Sequence, residues 1–262
     1  MSSSVRVFFV GGLTSYRALF NWLSPWILIP SFFVAPIFQI LLFAFIGRQS
    51  GLEDDRFYVI GNAIQYSAIP CLFAMANTIA DERFNQTLGF VLVSPAKRLP
   101  LFVGRSLPVI VNGMVVAAFG LIVGGLLLHV HIPASALAPM ALVIAVSAAS
   151  CTGLGLANAA LGLRVRETAV SSNIIFAILL IFCGVNVPLS KLPGWMSTSA
   201  QVMPLTHGIE AARRLADGQG LGRVGGLIAA EAAIGLAWGI LGYAWLRLME
   251  EQSRKYATLE RM

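Results

Sequence analysis

Long stretches without a charged side chain dominate this sequence. Only 11% of its 262 residues are charged, whereas 57% are hydrophobic. The charge-free stretches are residues 18–47, 57–80, 106–163 and 168–190. A helix needs roughly 20 apolar residues to cross about 30 Å of hydrocarbon, so each stretch holds at least one crossing and the longest holds two. Together with a mean hydropathy of +0.79, this pattern predicts an all-α integral membrane protein.

Six transmembrane helices are predicted from this pattern. They cover residues 26–47, 57–80, 101–128, 139–163, 168–187 and 224–246. The loops between them are short, so residues 1–262 are expected to form a single transmembrane domain without a separate soluble domain. The three cysteines, Cys71, Cys151 and Cys183, lie inside predicted spans and lack metal-ligand spacing, which favours a packing role.

The basic residues predict the orientation, because cytoplasmic loops retain Lys and Arg. Twelve of the 18 fall on one side of the alternating loops: Arg6, Arg17, Arg83, Lys97, Arg98, Arg105, Arg164, Arg166, Arg247, Arg254, Lys255 and Arg261. Both termini are therefore expected in the cytoplasm, in a multi-pass protein of the cell (inner) membrane. The net charge of +6 is attributed to these loops rather than to nucleic-acid binding.

Two segments outside the spans have an amphipathic character. Residues 4–24 place Phe9, Leu13 and Phe20 on one helical face and are predicted to form an interfacial helix, with a frayed extension as the alternative. Residues 188–222 are too polar to span and too apolar for a solvent loop. They are predicted to form an outer re-entrant helical segment before the last span, with a surface loop anchored by Trp195 as the alternative.

The longest cytoplasmic loop, residues 81–98, is predicted to contain a short amphipathic helix. Asp81 and Glu82 are expected at its N-terminus, where the helix dipole favours negative charge. Phe84, Leu88 and Leu92 form an apolar stripe that ends before Pro95. A membrane protein on which a soluble partner acts requires a helix presented in this way.

The cytoplasmic loop at 81–98 and the outer segment at 188–222 resemble the corresponding segments of type-2 ABC-transporter permeases. Residues 81–89, followed by Pro95, Arg98 and a Gly-Arg pair at 104–105, are similar to the cytoplasmic loop of that family. Residues 188–195, followed by 204–213, are similar to its outer re-entrant segment, closest to drug-export permeases of the daunorubicin-resistance type. Gln86 and Gly89 depart from the family, which usually has glycine and glutamate at these positions.

The resemblance implies an exporter in which two permease chains form the path and two separate ABC ATPase subunits drive it. The sequence has no Gly-x4-Gly-Lys-Ser/Thr phosphate loop, so ATP and Mg are expected on the partner and no cofactor on this chain. The residues implied in coupling to the ATPase are Asp81, Glu82, Arg83, Phe84, Thr87, Leu88, Leu92, Pro95 and Arg98. The basic residues among them also fit the alternative that they only set the orientation of the protein in the membrane and contact no partner. The residues implied in the re-entrant segment are Pro193, Trp195, Pro204, His207, Glu210 and Arg213.

A path for an amphipathic substrate, such as a drug-like molecule or a lipid, requires polar and aromatic side chains within the spans. The residues predicted to line it are Phe33, Gln39, Asn62, Gln65, Tyr66, Asn112, Asn173 and Glu231, each of which also fits ordinary helix packing. An acid at the depth of Glu231 must face protein or water, and a buried structural carboxyl is the other interpretation. Polysaccharide or glycolipid export by the same mechanism stays open.

Two other protein classes fit less well. A membrane-embedded lipid-modifying enzyme requires clustered His, Asp, Glu or Ser residues at one depth, and the ionisable residues within the predicted spans are almost limited to Glu231. A channel or secondary carrier predicts inverted repeats and paired intramembrane charges. No catalytic or metal-binding residue is predicted. His129 and His131 are interpreted as a polar cap at the membrane edge.

Overall fold

The computed structural model describes Trp26 and residues 29–84, 98–161 and 168–256, and its long elements are all helices. No β-strand occurs among these residues, in agreement with the predicted all-α class. The predicted interfacial helix at 4–24 lies outside them. The helices are α1 (Ala35–Ser50), which is preceded by one π-helical turn (Pro30–Val34), α2 (Asp55–Tyr66), α3 (Ala68–Phe84), α4 (Arg98–Leu127), α5 (Ala134–Leu161), α6 (Thr168–Phe182), α7 (Gly194–Ala200), α8 (Thr206–Ala216) and α9 (Leu221–Tyr256).

Five stretches of the described residues are long and apolar enough to cross a membrane. They are Pro30–Ser50, Asp55–Asn77, Val103–Leu127, Ala134–Leu161 and Leu221–Met249, and they correspond to five of the six predicted spans. The other predicted span, 168–187, corresponds to the apolar helix α6. Its 15 residues extend about 22 Å, which is short of the roughly 30 Å of hydrocarbon. A sixth crossing therefore stays a prediction.

The second span consists of α2 and α3, which are separated by a break at Ser67. Pro70 follows three residues later, and a proline ring lacks an N–H group and clashes with the carbonyl four residues before it. At the break itself, the carbonyl of Ile64 accepts both the hydroxyl of Ser67, at 2.6 Å, and its N–H, at 3.0 Å. The polar groups of Ser67 are thus satisfied locally, as the interior of a membrane protein requires.

Helices α5 and α9 run parallel and pack through small residues. A Cβ atom added to Gly235 would lie 2.6 Å from the Cα of Ser150, and one added to Gly242 would lie 2.6 Å from the backbone nitrogen of Ala157. Small residues let helix backbones approach closely in membranes, where dispersion contacts replace the hydrophobic effect between helices. The Gly-x-x-x-Gly sequence at 235–239 is therefore used within this chain to join two of its own spans.

Apolar side chains on the outside of the bundle remain exposed. Those on α1, α4, α6 and α9 include Phe38, Leu42, Phe45, Leu107, Val111, Ile122, Val170, Ile174, Leu236, Ile240 and Leu241. Such surfaces are the rule where lipid, and not water, surrounds a protein. They agree with a multi-pass membrane protein.

Replacement of Gly235 by alanine is expected to lower the thermal unfolding midpoint of the detergent-solubilised protein by several degrees, because no room exists beside Ser150. The control is Gly226→Ala on the same helix, where an added Cβ meets nothing within 4 Å. That variant should match or exceed the wild type, since alanine is favoured over glycine in a helix by about 1 kcal/mol. Equal midpoints for both variants would contradict the close packing of α5 and α9.

Candidate functional site

Four side-chain amides from three segments meet inside the bundle, and we call Gln39, Asn62, Gln65 and Asn186 the amide cluster. The Nε2 atom of Gln39 donates to Oδ1 of Asn62 and to Oε1 of Gln65, both at 2.8 Å. The Nδ2 atom of Asn62 donates to Oδ1 of Asn186, also at 2.8 Å. Asn62 and Gln65 are fully buried. The structure thus brings together three residues that the sequence had marked only individually.

The local fold explains why these amides meet. Gly51, at a φ of 64°, ends α1, and the Asp54 side chain accepts the N–H of Phe57 at the start of α2. This tight turn sets α1 antiparallel to α2, so that Gln39 reaches Asn62 and Gln65, which lie three residues apart on one face of α2. In low-dielectric surroundings an unpaired amide is costly, about 1–3 kcal/mol, so the cluster strongly favours its bonded arrangement.

Asn186 was not predicted from the sequence. It follows Gly184 and Val185 in the connection after α6, and no periodicity links it to α2. Its only signal is that a polar residue interrupts the end of an apolar run.

Two of the other residues predicted for the path, Phe33 and Tyr66, pack in one apolar cluster that also contains Phe176. The buried Tyr66 ring lies 5.8 Å from that of Phe176, whose carbonyl accepts a bond from Gln65 of the amide cluster at 3.5 Å.

Two predicted asparagines lie elsewhere. Asn112 is half-buried on α4, and the exposed Asn173 bonds to the carbonyl of Ala169 in its own helix.

A second polar site surrounds the start of α8, where Glu231 of α9 is fully buried. Its Oε1 accepts the N–H of Leu205 at 2.8 Å, and its Oε2 accepts the N–H of Gly208 at 3.1 Å. The first N–H groups of a helix lack intrahelical partners, and the helix dipole favours an anion there. Glu231 therefore caps α8. Since it lies ten residues after Leu221, this cap is about 15 Å along α9.

Arg213 holds the other half of α8 against two neighbouring segments. Its guanidinium donates to the carbonyls of Gly184 at 2.8 Å, Val185 at 2.9 Å and Phe57 at 3.1 Å. It also lies 3.4 Å from the centroid of the Phe57 ring, within range of a cation–π interaction. Burial lowers the pKa of Arg213 to about 10, against the opposing effect of Glu210 and other nearby acids. The side chain therefore stays charged at neutral pH.

The C-terminal end of α8 is bound by a residue that the sequence had not marked. Arg56, at the start of α2, donates to the carbonyl of Ala216 at 3.4 Å and to the Asp217 carboxylate at 3.2 Å. A cation at a helix C-terminus interacts favourably with the helix dipole. A carboxyl group from α9 and a guanidinium from α2 thus flank the two ends of α8.

The remaining residues predicted for the re-entrant segment are spread along it. Pro193 and Trp195 are exposed at α7, and the Trp195 ring lies 5.7 Å from that of Phe182. The buried Pro204 accepts a hydrogen bond from the Cys183 thiol, at 3.2 Å. His207 lies 3.1 Å from the carbonyl of Gln201 and Glu210 pairs with Arg214. Three of the six, Trp195, Pro204 and Arg213, therefore contact residues outside the segment.

The predicted coupling residues are only partly covered. Asp81, Glu82, Arg83 and Phe84 form the last turn of α3, and Arg98 begins α4. Thr87, Leu88, Leu92 and Pro95 lie outside the described residues. The expected helix start at Asp81 is wrong, because α3 begins at Ala68 and no helix-breaking residue separates Pro70 from Phe84.

Metal binding has no support in the part of the chain that the structure describes. No group of three or more His, Cys, Asp or Glu residues there could hold an ion. His129 and His131 are both exposed, and the three cysteines are buried and free of disulfides.

Comparison with protein families gives a match over most of the chain. Residues 13–215 match the family model described as ABC-2 type transporter. The matched range contains the amide cluster and Arg213 but ends before Glu231. No curated protein matches the chain significantly.

Removal of the Arg213 side chain is expected to destabilise the protein by more than about 2 kcal/mol, because three buried carbonyls lose a charged donor at once. The matched control is Arg214→Ala at the next position. Arg214 is 43% exposed and pairs with Glu210 within α8, so its loss should cost less than about 1 kcal/mol. Chemical unfolding of both purified variants in detergent measures the difference, and equal losses would refute the role of Arg213.

Proposed function

The chain belongs to the ABC-2 type transporter family, and from this membership we propose that it is the membrane-spanning permease subunit of an ATP-driven exporter. Such proteins are ABC permeases, generally transport subunits rather than enzymes, and they generally work with ABC ATPase partners. The finer features proposed here are the direction of transport, the substrate, the coupling loop and the subunit composition.

The observation that carries the proposal is the amide cluster. It places hydrogen-bonding side chains inside a bundle whose outer surface is apolar, and polar residues inside membrane proteins commonly mark substrate pathways. We assign the cluster to the path of an amphipathic molecule, either drug-like, as for permeases of the daunorubicin-resistance type, or a lipid. An amide donates and accepts hydrogen bonds, so the cluster suits a neutral polar group better than a charged one.

Coupling to the ATPase is assigned to residues 81–98. Two long helices, α3 and α4, flank this loop and reach into the bundle on either side. Force applied to the loop would therefore move both helices as rigid bodies. We assign ATP and Mg to two partner ATPase subunits and the second half of the path to a second permease chain.

The topology proposed for the complex has six crossings, with α6 as the fifth and both termini in the cytoplasm of a cell with an inner membrane. Residues 188–222 then enter the membrane from the outer side. The depth of Glu231 supports this arrangement, because α8 starts about 15 Å along α9 while its other end contacts Arg56 at the start of α2.

The proposal is tested by purifying the chain with a candidate ABC ATPase and reconstituting the complex in lipid vesicles. ATP-dependent movement of daunorubicin or a fluorescent phospholipid is the expected result, with a labelled glycolipid as the competing substrate class. Transport of the glycolipid alone would support the alternative substrate. Failure of every ABC ATPase to co-purify would refute the exporter assignment.

Alanine replacement of residues 81–83 is expected to abolish substrate-dependent stimulation of ATP hydrolysis and at least about nine-tenths of transport, because rigid-body coupling requires the loop. The control replaces Lys191 and Arg223, two exposed basic residues near the other end of the bundle, with alanine. Membrane insertion should be the same in both variants. Undiminished transport in the 81–83 variant would rule out this loop as the coupling element.

A further inference from the structure

We infer that Glu231 is a positioning residue for the amide cluster, acting through α8 and Arg213 and not through contact with the substrate. The inference rests on the proposed function only in that it takes the amide cluster as part of the substrate path.

The first link is the fixed start of α8. Leu205 has a φ of 78°, a backbone conformation that costs a non-glycine residue about 1–3 kcal/mol and persists only where the surroundings enforce it. Glu231 accepts the N–H of this same residue and that of Gly208. Both carboxylate oxygens are thus used to hold the strained turn.

Gly208 makes the position of α8 more restrictive. A Cβ atom at Gly208 would collide with the Ser147 hydroxyl on α5, and it would lie 3.6 Å from the Glu231 carboxyl carbon. The start of α8 is thus seated directly between α5 and α9. A helix seated this closely cannot shift without separating from Glu231.

The second link runs along α8 to Arg213. Arg213 lies five residues after Gly208, about 7.5 Å along a helix. The two terminal nitrogens of Arg213 donate to the carbonyls of Gly184 and Val185. These bonds fix the backbone that follows α6, which has no helical hydrogen bonds of its own at this point.

The third link is the covalent connection from Val185 to Asn186. The Oδ1 atom of Asn186 accepts a hydrogen bond from Asn62, whose own Oδ1 accepts one from Gln39. A shift of residues 184–185 would therefore carry the Asn186 amide away from the cluster. Glu231, α8, Arg213 and Asn186 form one continuous chain of contacts from the last span to the amide cluster.

The test uses Glu231→Gln, which keeps the size of the side chain but replaces one acceptor oxygen with a donor. The control is Glu251→Gln, an exposed acid on the same helix. Both are compared with wild type by the rate at which a small maleimide labels each natural cysteine, read by peptide mass spectrometry. Cys183 is the reporter, because it is buried next to Gly184 and bonds to Pro204, and Cys71 in α3 reports general loosening.

Glu231→Gln should raise the labelling rate of Cys183 by about tenfold or more, the factor that corresponds to 1.4 kcal/mol, with Cys71 unchanged. Glu251→Gln should leave both rates unchanged. Arg213→Lys, which keeps Glu231 intact, should give the same selective increase. A Cys183 rate equal to wild type, or an equal rise at Cys71, would overturn the inference.

The functional arm measures ATP-driven daunorubicin transport in vesicles. Glu231→Gln and Asn186→Ala should each raise the KM, and the double variant should raise it no further than the larger single effect, because both act through one contact chain. If the increase in KM of the double variant equals the product of the two single increases, the inference is overturned even where the labelling rates of Cys183 agree with it. Absence of ATP-driven transport of any substrate by the wild type would refute the proposed function and leave the thiol test standing.

Discussion

A buried polar group in this bundle is costly unless it finds a partner within the protein, because the hydrocarbon around it offers none. The described residues meet much of this requirement with bonds between different helices, although the Nδ2 atom of Asn186 is among the buried atoms without a hydrogen-bond partner. Asn158 of α5 bonds to Ser171 and Ser172 of α6, and Asn62 joins α1 to the connection after α6. Polar residues therefore help to determine which helices meet, together with the small residues that join α5 to α9.

Helix α8 is the clearest result of this constraint. With 11 residues it is about 16 Å long and cannot cross the membrane, so its unpaired ends must be satisfied inside the protein or at its surface. Glu231 provides acceptor oxygens at one end and Arg56 a cation near the other. The helix thereby connects α9 with α2, two segments far apart in the sequence, and Arg213 extends this connection to the amide cluster.

The sequence predicted the helices well because a membrane helix is a local structure, in which an apolar run and the charges around it contain the information. The partners of polar residues depend on the packing of distant segments, and for this reason Asn186 and Arg56 were missed. The two wrong helix bounds also have causes in the nearby sequence. The expected helix at Asp81 is the continuation of α3, and α6 ends at Phe182, before Gly184 adopts a φ of 71°, rather than at residue 187.

The central claim is that the amide cluster handles the substrate of an ABC-2 permease, and two asparagine variants test it most directly. Asn62→Leu and Asn158→Leu remove equally buried amides, each with side-chain partners, so both should cost similar stability. In ATP-driven daunorubicin transport, Asn62→Leu should raise the KM by about tenfold, as the loss of about 1.4 kcal/mol of binding implies, while Asn158→Leu leaves it unchanged. Equal KM values for the two variants would contradict the claim.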